Sequence, residues 1–232
     1  PYTTLFRSTV WSIPPSSVFI DKGRVQIRNF TLESEDQYLK ADGIISASPE
    51  DSCMLNLHNF DMSLANLFLK DPLKVSGRLS GNAKASALLG DYAMSADMQA
   101  DSVCLSGNLV GRLAVNANWA EQDDKIDFSL TNTLADKTVI DINGDFHPSG
   151  KMLTATAVID SLSAAILSPF ASSIMSDLTG SISLAATASG PLDSLDLQSG
   201  RGHLNDFSGT LDYTKVRYGI DGDFSLTPAG IR

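Results

Sequence analysis

From Leu73 to Ala87 the chain alternates for fifteen residues without a break. Leu73, Val75, Gly77, Leu79, Gly81, Ala83, Ala85 and Ala87 are apolar or glycine, and every residue between them is polar. Successive side chains of a strand point to opposite faces, so this run makes a sheet with one greasy face and one wet face. The pattern returns in Tyr92, Met94, Ala96 and Met98, and in Leu109, Gly111, Leu113, Val115, Ala117 and Trp119. It continues in Ile126, Phe128 and Leu130, in Ile140, Ile142, Gly144 and Phe146, and in Val216, Tyr218, Ile220, Gly222, Phe224 and Leu226. Fifteen residues at about 3.3 Å each span about 50 Å if straight, too long for a small sandwich. Glycines inside the runs (Gly77, Gly81, Gly111, Gly144, Gly222) are expected to mark bulges or bends. The fold class expected is mainly β: an open, curved antiparallel sheet with a hydrophobic interior and one or two short amphipathic helices.

Two stretches leave the period of two. Phe60 to Leu69 and Leu162 to Leu178 space their apolar residues three and four apart, which predicts short helices over about 61–70 and 162–176. Pro72 should end the first, and Pro169 should break or restart the second. The segments after the two helices match at a constant offset of 103: Gly77 with Gly180, Leu79 with Ile182, Ala83 with Ala186, Ala85 with Ala188. The expected organisation is one continuous groove over 1–232 with repeat units of about 60–160 and 161–232.

Charge and composition remove several function classes. With 17 Lys+Arg against 27 Asp+Glu the net charge is −10 and no basic cluster exists, which excludes a nucleic-acid binder. A hydrophobic fraction of 43% excludes a disordered chain. No long apolar run reads as a transmembrane helix and no basic leader reads as a signal peptide. The opening from Pro1 to Pro15 reads as a piece of a longer chain.

No catalytic, metal or cofactor site is expected. His58, His147 and His203 lie far apart, without ligand spacing, and read as surface or turn residues. Asp123-Asp124 reads as a turn, and Asp141/Asp145 and Asp221/Asp223 fall on polar strand faces. No nucleophile elbow, zinc-protease or phosphate-loop motif occurs. Cys53 and Cys104 match no zinc or redox spacing and read as small buried hydrophobes; an oxidising compartment would permit a disulfide. The triplets beginning at Asp101, Asp160 and Asp193 resemble the Asp-Ser/Thr-apolar acceptor signature of O-glycosylation in Bacteroidetes.

The stretch from Leu153 to Ile231 resembles the TamB C-terminal domain family, within the AsmA-like superfamily of bridge-type lipid transfer proteins. The residues that carry the likeness are Leu167-Ser168-Pro169-Phe170, Leu178-Thr179-Gly180-Ser181-Ile182 and Ala188-Ser189-Gly190-Pro191-Leu192. Next come Leu195-Asp196-Leu197, Gly202-His203-Leu204 and the closing phrase Tyr218 to Ile231. Pro191 stands earlier than the family's usual proline, and Ser194-Leu195 holds that place. The resemblance implies a β-taco in the periplasm of a Gram-negative bacterium, anchored in the inner membrane through residues outside this chain. It implies phospholipid transport, a role in outer-membrane biogenesis, and an outer-membrane TamA-like or BamA-like barrel as partner. The alternative is a scaffold that pairs strands with client barrel proteins. Val75, Leu79, Leu113, Val115, Ile142, Ile182, Ile220 and Phe224 are the expected groove lining, since each sits on the apolar phase of its strand.

Overall fold

The computed structural model describes residues 2–6, 9–70, 72–120, 123–228 and 230–231, with side chains from 10 onward except Ile231. Strands follow one another almost without interruption: β1 (Tyr2–Phe6), β2 (Thr9–Ile13), β3 (Ser17–Asp21), β4 (Arg24–Ser34), β5 (Gln37–Ile45) and β6 (Ser52–Asp61). After a 3-10 turn at Met62–Leu67 come β7 (Val75–Ser86), β8 (Ala93–Leu105), β9 (Asn108–Ala120), β10 (Lys125–Leu134), β11 (Lys137–His147) and β12 (Met152–Ser163). A second 3-10 turn at Ala164–Leu167 leads into one turn of helix, α1 (Ser168–Ala171). The chain closes with β13 (Met175–Pro191), β14 (Asp196–Leu211), β15 (Val216–Thr227) and β16 (Gly230–Ile231). All pair antiparallel in one open, curved sheet, in chain order, with β2 and β3 both lying along β4.

The alternation sets the strands, and bulges set their shape. In β4, β6, β8, β12 and β14, which run in the same direction, the register slips between Ile27 and Phe30, Leu57 and Phe60, Ala100 and Val103, Ile159 and Leu162, and Leu204 and Phe207. Each slip holds a polar residue in the left-handed region: Asn29, Asn59, Ser102, Ser161 and Asp206, with φ between 47° and 53°. Four of these donate their backbone N–H to a side chain of the next strand. Asn29 reaches Asp42 Oδ2 at 2.8 Å, Asn59 reaches Ser80 Oγ at 2.8 Å, Ser161 reaches Ser183 Oγ at 3.1 Å and Asp206 reaches Asp221 Oδ2 at 3.0 Å. The apolar phase steps by three at each bulge and so stays on one face. A bulge bends its strand and adds twist. Repeated in the later part of β6, β8, β12 and β14, these bulges bend the sheet along one line, and the β4 bulge falls nearer the start of its strand.

The interior glycines accompany bulges at four of the five expected positions. Gly77 falls at a register slip, and Gly81, Gly111 and Gly222 pair with Leu57, Val103 and Leu204, each at the edge of one, whereas Gly144 pairs in regular ladder. The helices are shorter than the expected 61–70 and 162–176. Leu162 and Ser163 belong to β12, and Met175 already opens β13. Asp61 caps the first turn by accepting the Ser63 N–H at 2.9 Å. Pro169 restarts the second segment as a single helical turn, because proline is tolerated only in the first turn of a helix. The two helical segments are separated by the six strands β7 to β12, and each leads into the strand that the 103-residue offset pairs, β7 and β13.

Curvature shows in contacts between strands that are not neighbours. Tyr92, just before β8, stacks on Phe146 of β11 with ring centroids 6.0 Å apart, although two strands lie between. In a flat sheet those strands would be about 14 Å apart. Trp11 and Phe60 meet likewise at 5.8 Å across β4 and β5. Asn108 Nδ2 reaches Ala165 O at 3.1 Å, tying the start of β9 to the turn after β12. Two groups of buried apolar side chains lie toward opposite ends of the strands. Ala117, Ile126 and Phe146 form a cluster with Tyr92, Trp119 and Leu153. Leu162, Ala164, Ile166 and Leu178 surround the second helical segment. Between these ends most of the apolar residues are half-buried, with Leu57, Ala100 and Asn132 buried. The accessible surface is 14046 Å², whereas a compact chain of this mass exposes about 10,000 Å².

Candidate functional site

Cross-strand register assembles the apolar phases into continuous rows. One row runs Leu32–Leu39–Leu57–Gly81–Met98–Val115 from β4 to β9. It continues Leu130–Ile142–Ala157–Ala186–Gly200–Leu226 to β15. Twelve strands contribute, and no member is polar. The neighbouring row carries Leu79, Ala100 and Leu113, then Asn132, and runs on through Ile140, Ile159, Leu184 and Gly202 to Phe224. On the outer face the corresponding row is wholly polar: Lys40, Asn56, Asn82, Asp97, Asn116 and Ser129, then Asn143, Thr156, Thr187 and Ser199. The sheet thus carries an uncharged trough on one side and a hydrated wall on the other.

The expected lining residues divide between these rows and the sheet around them. Val115 and Ile142 share the first row, and Leu79, Leu113 and Phe224 share the second. Ile182 pairs with Leu162 and Leu204 one step nearer the bulge line, Val75 pairs with Leu105, and Ile220 pairs with Phe207. All are half-buried except Ile220, which is 57% exposed. Sequence reasoning missed Leu32, Leu39 and Leu57, and the residues just past the bulges, Phe30, Phe60 and Phe207. The signal that finds them is a three-residue step in the apolar phase across a polar pair such as Arg28-Asn29 or His58-Asn59.

Asn132 is the one polar side chain in the second row, and it is 1% exposed. Its Nδ2 donates to Val110 O at 2.8 Å and Arg112 O at 3.1 Å, where the β9–β10 ladder ends beside Gly111. Its Oδ1 has no partner. The side chain replaces the missing ladder bonds on β9. Asn132→Ala should therefore cost roughly 2–4 kcal/mol, by opening a cavity and stranding two carbonyls. A shift in the urea midpoint reads this; an unchanged midpoint would deny Asn132 that role.

Among the described residues, two histidines pair with carboxylates. His147 lies 3.4 Å from Asp145 and His203 Nδ1 lies 2.8 Å from Asp223 Oδ1, both partly exposed. Ser183, His203 and Asp223 do align across β13, β14 and β15. But no hydrogen bond joins Ser183 to His203, the Ser183 Oγ already accepts the Ser161 N–H, and the Asp223 side chain is 93% exposed. A nucleophile needs its base in hydrogen-bond reach and an orienting group held in place. Among the described residues no three His, Cys, Asp or Glu cluster as metal ligands, and no helix is long and apolar enough to cross a membrane. Of the three Asp-Ser pairs, Ser102 and Ser161 are the left-handed bulge residues, and Asp193-Ser194 lies in the turn between β13 and β14.

Cys53 and Cys104 are both free and half-buried, near opposite ends of their strands. Burial, and then the nearby Asp42 carboxylate, push the Cys53 thiol above its ordinary value. It stays protonated at neutral pH, and the thiolate is the reactive form. In a Cys104→Ala background, Cys53 should label with a maleimide several-fold more slowly than a free thiol at pH 7, the gap closing as pH rises. Labelling at the free-thiol rate would contradict this. Asp51 moves the other way. Its carboxyl is held low by the Ser46 hydroxyl at 2.8 Å and by Arg24 at 2.9 Å. This contribution is present above the ordinary carboxylate range and is lost as pH falls through the lowered value.

No protein-family model, curated protein or solved structure matches the chain.

Proposed function

We propose that this chain is a groove segment of a TamB-like protein that carries phospholipid across the periplasm between the inner and outer membranes, serving outer-membrane biogenesis. One observation supports the reading above the others: an uncharged apolar row, continuous over twelve strands, ten of whose twelve members stay partly exposed. Twelve strands at about 4.8 Å spacing make a trough about 50 Å long. An apolar strip of that length far exceeds the patches that soluble monomers leave exposed. Acyl chains fit it chemically, each buried methylene contributing about 0.8 kcal/mol. The headgroups stay at the wet rim, and no bond need be made or broken. The small residues Ala157, Ala186 and Gly200 leave the width that chains require.

A second reading is a scaffold for barrel assembly that pairs strands with clients and works beside a TamA-like or BamA-like barrel; the long antiparallel strands of the sheet are the feature it draws on. A photo-crosslinker separates the two. Placed at Leu113 it should capture lipid from the expression host. Placed at Arg112 or Asn116, both exposed on the outer face, it should capture none. Lipid captured equally at all three positions would remove the groove reading.

A further inference from the structure

Of the three Asp-Ser-apolar triplets, the fold uses two. Asp101 is bound by Arg112 Nε at 2.6 Å, Ser102 is the left-handed bulge residue of β8, and Val103 is 3% exposed. Asp160 accepts the Ser161 hydroxyl at 2.9 Å, the Ser161 N–H donates to Ser183 Oγ at 3.1 Å, and Leu162 is 8% exposed. In both triplets each residue serves the sheet.

The third triplet is left over. Asp193-Ser194-Leu195 lies in the turn between β13 and β14, at the strand ends opposite the bulge of β12. Main chain alone holds this turn. The Leu192 N–H donates to Lys151 O at 3.0 Å, and the Ser194 N–H donates to Pro191 O at 3.0 Å. Among the described residues neither the Asp193 carboxylate nor the Ser194 hydroxyl bonds to another group. All three side chains are exposed, Leu195 at 40%.

We propose that Ser194 is a glycosylation site, the acceptor of a sugar chain joined through its hydroxyl oxygen. A transferase has to reach the hydroxyl and read the residue on either side of it. At Ser102 and Ser161 the apolar neighbour is buried and the acid is already bound, so the folded chain hides what the enzyme would read. At Ser194 acid, hydroxyl and apolar side chain are presented together on a surface turn, where added bulk is tolerated. The chemistry is a displacement at a sugar activated as a glycosyl diphosphate. The Ser194 oxygen forms a bond to the anomeric carbon, the bond from that carbon to the diphosphate oxygen breaks, and the diphosphate leaves with the electron pair. The hydroxyl proton passes to a base of the transferase, and nothing is oxidised or reduced. The product is a bulky, hydrated group at the strand ends, beside Leu192, which is 57% exposed. This inference does not depend on lipid carriage.

Mass spectrometry of the full chain, exported to the periplasm of a Bacteroidetes host, tests it. A protein glycosylated on the same signature in those cells is the control, and circular dichroism confirms that each variant is folded. The wild-type chain should carry a sugar chain that electron-transfer fragmentation places on Ser194. Ser194→Ala should return the bare polypeptide mass, and Ser194→Thr should keep the sugar. Asp193→Ala should lose it although the hydroxyl remains, whereas Ser102→Ala and Ser161→Ala should keep it. A bare wild-type chain beside a glycosylated control would overturn the proposal. So would sugar on Ser102 or Ser161 in place of Ser194, or a Ser194 modified equally well in Asp193→Ala.

Discussion

Leu113→Glu and Ile142→Glu should lose bound lipid tenfold or more while the protein still unfolds cooperatively. Both residues sit in the middle of the uncharged rows, and both are half-buried. A carboxylate there faces the space that acyl chains would fill. Desolvating it without a partner costs several kcal/mol, and each 1.4 kcal/mol is a factor of ten in occupancy. In the lipid-free protein the same side chain can reach water through the open trough, so folding should suffer far less than in a sealed core. Apolar surroundings raise a carboxyl pKa, because the charged form is disfavoured. Lipid retention should therefore return as pH is lowered and the glutamate becomes neutral. Outright unfolding of both variants would mean that the inner face is a closed core. Unchanged lipid content would mean that these residues do not line the path.

Gly144→Val should be among the most destabilising single changes available, at roughly 3–5 kcal/mol. A Cβ on Gly144 would stand 2.1 Å from Thr154 O and 2.8 Å from the Phe128 ring, so backbone and aromatic must both move. Gly144 lies in regular ladder between Phe128 and Ala155, where nothing but hydrogen leaves room for the ring. Gly107 provides the control. It has φ +88° in the β8–β9 turn, and nothing lies within 4 Å of its would-be Cβ. Gly107→Ala should cost only the left-handed strain of about 1–2 kcal/mol. Urea midpoints of the two variants read the difference. Equal shifts would show that close strand approach does not hold the curvature.

The strands from β7 to β12, and β15, are legible in the sequence because their alternation runs nearly unbroken. The segment from β4 to β6 is harder to read. Val25 and Ile27 give way to Phe30 and Leu32, and Leu57 gives way to Phe60, so the period fails at the bulges. The polar pair at each slip looks like loop chemistry, and at Asp101-Ser102 and Asp160-Ser161 like a modification signature, until the register shows one extra residue. Helical spacing in 60–69 and 162–178 marked where the strands stop, but not how short the helical turns are. The rows themselves depend on register, which no single strand reports. That is why Val115 and Ile142 turn out to be row-mates while Ile220, on the same phase, sits exposed at the edge. Asn132 could not be singled out, since its value lies in two carbonyls of another strand.

Whether the uncovered inner face is a lipid path is decided by native mass spectrometry of the purified, folded chain, followed by solvent extraction of what it releases. Adducts in the phospholipid mass range are expected on the wild-type protein, extractable as glycerophospholipid and strongly reduced in Leu113→Glu. A folded protein free of lipid, that neither takes up phospholipid from vesicles nor binds a hydrophobic dye, would contradict lipid carriage.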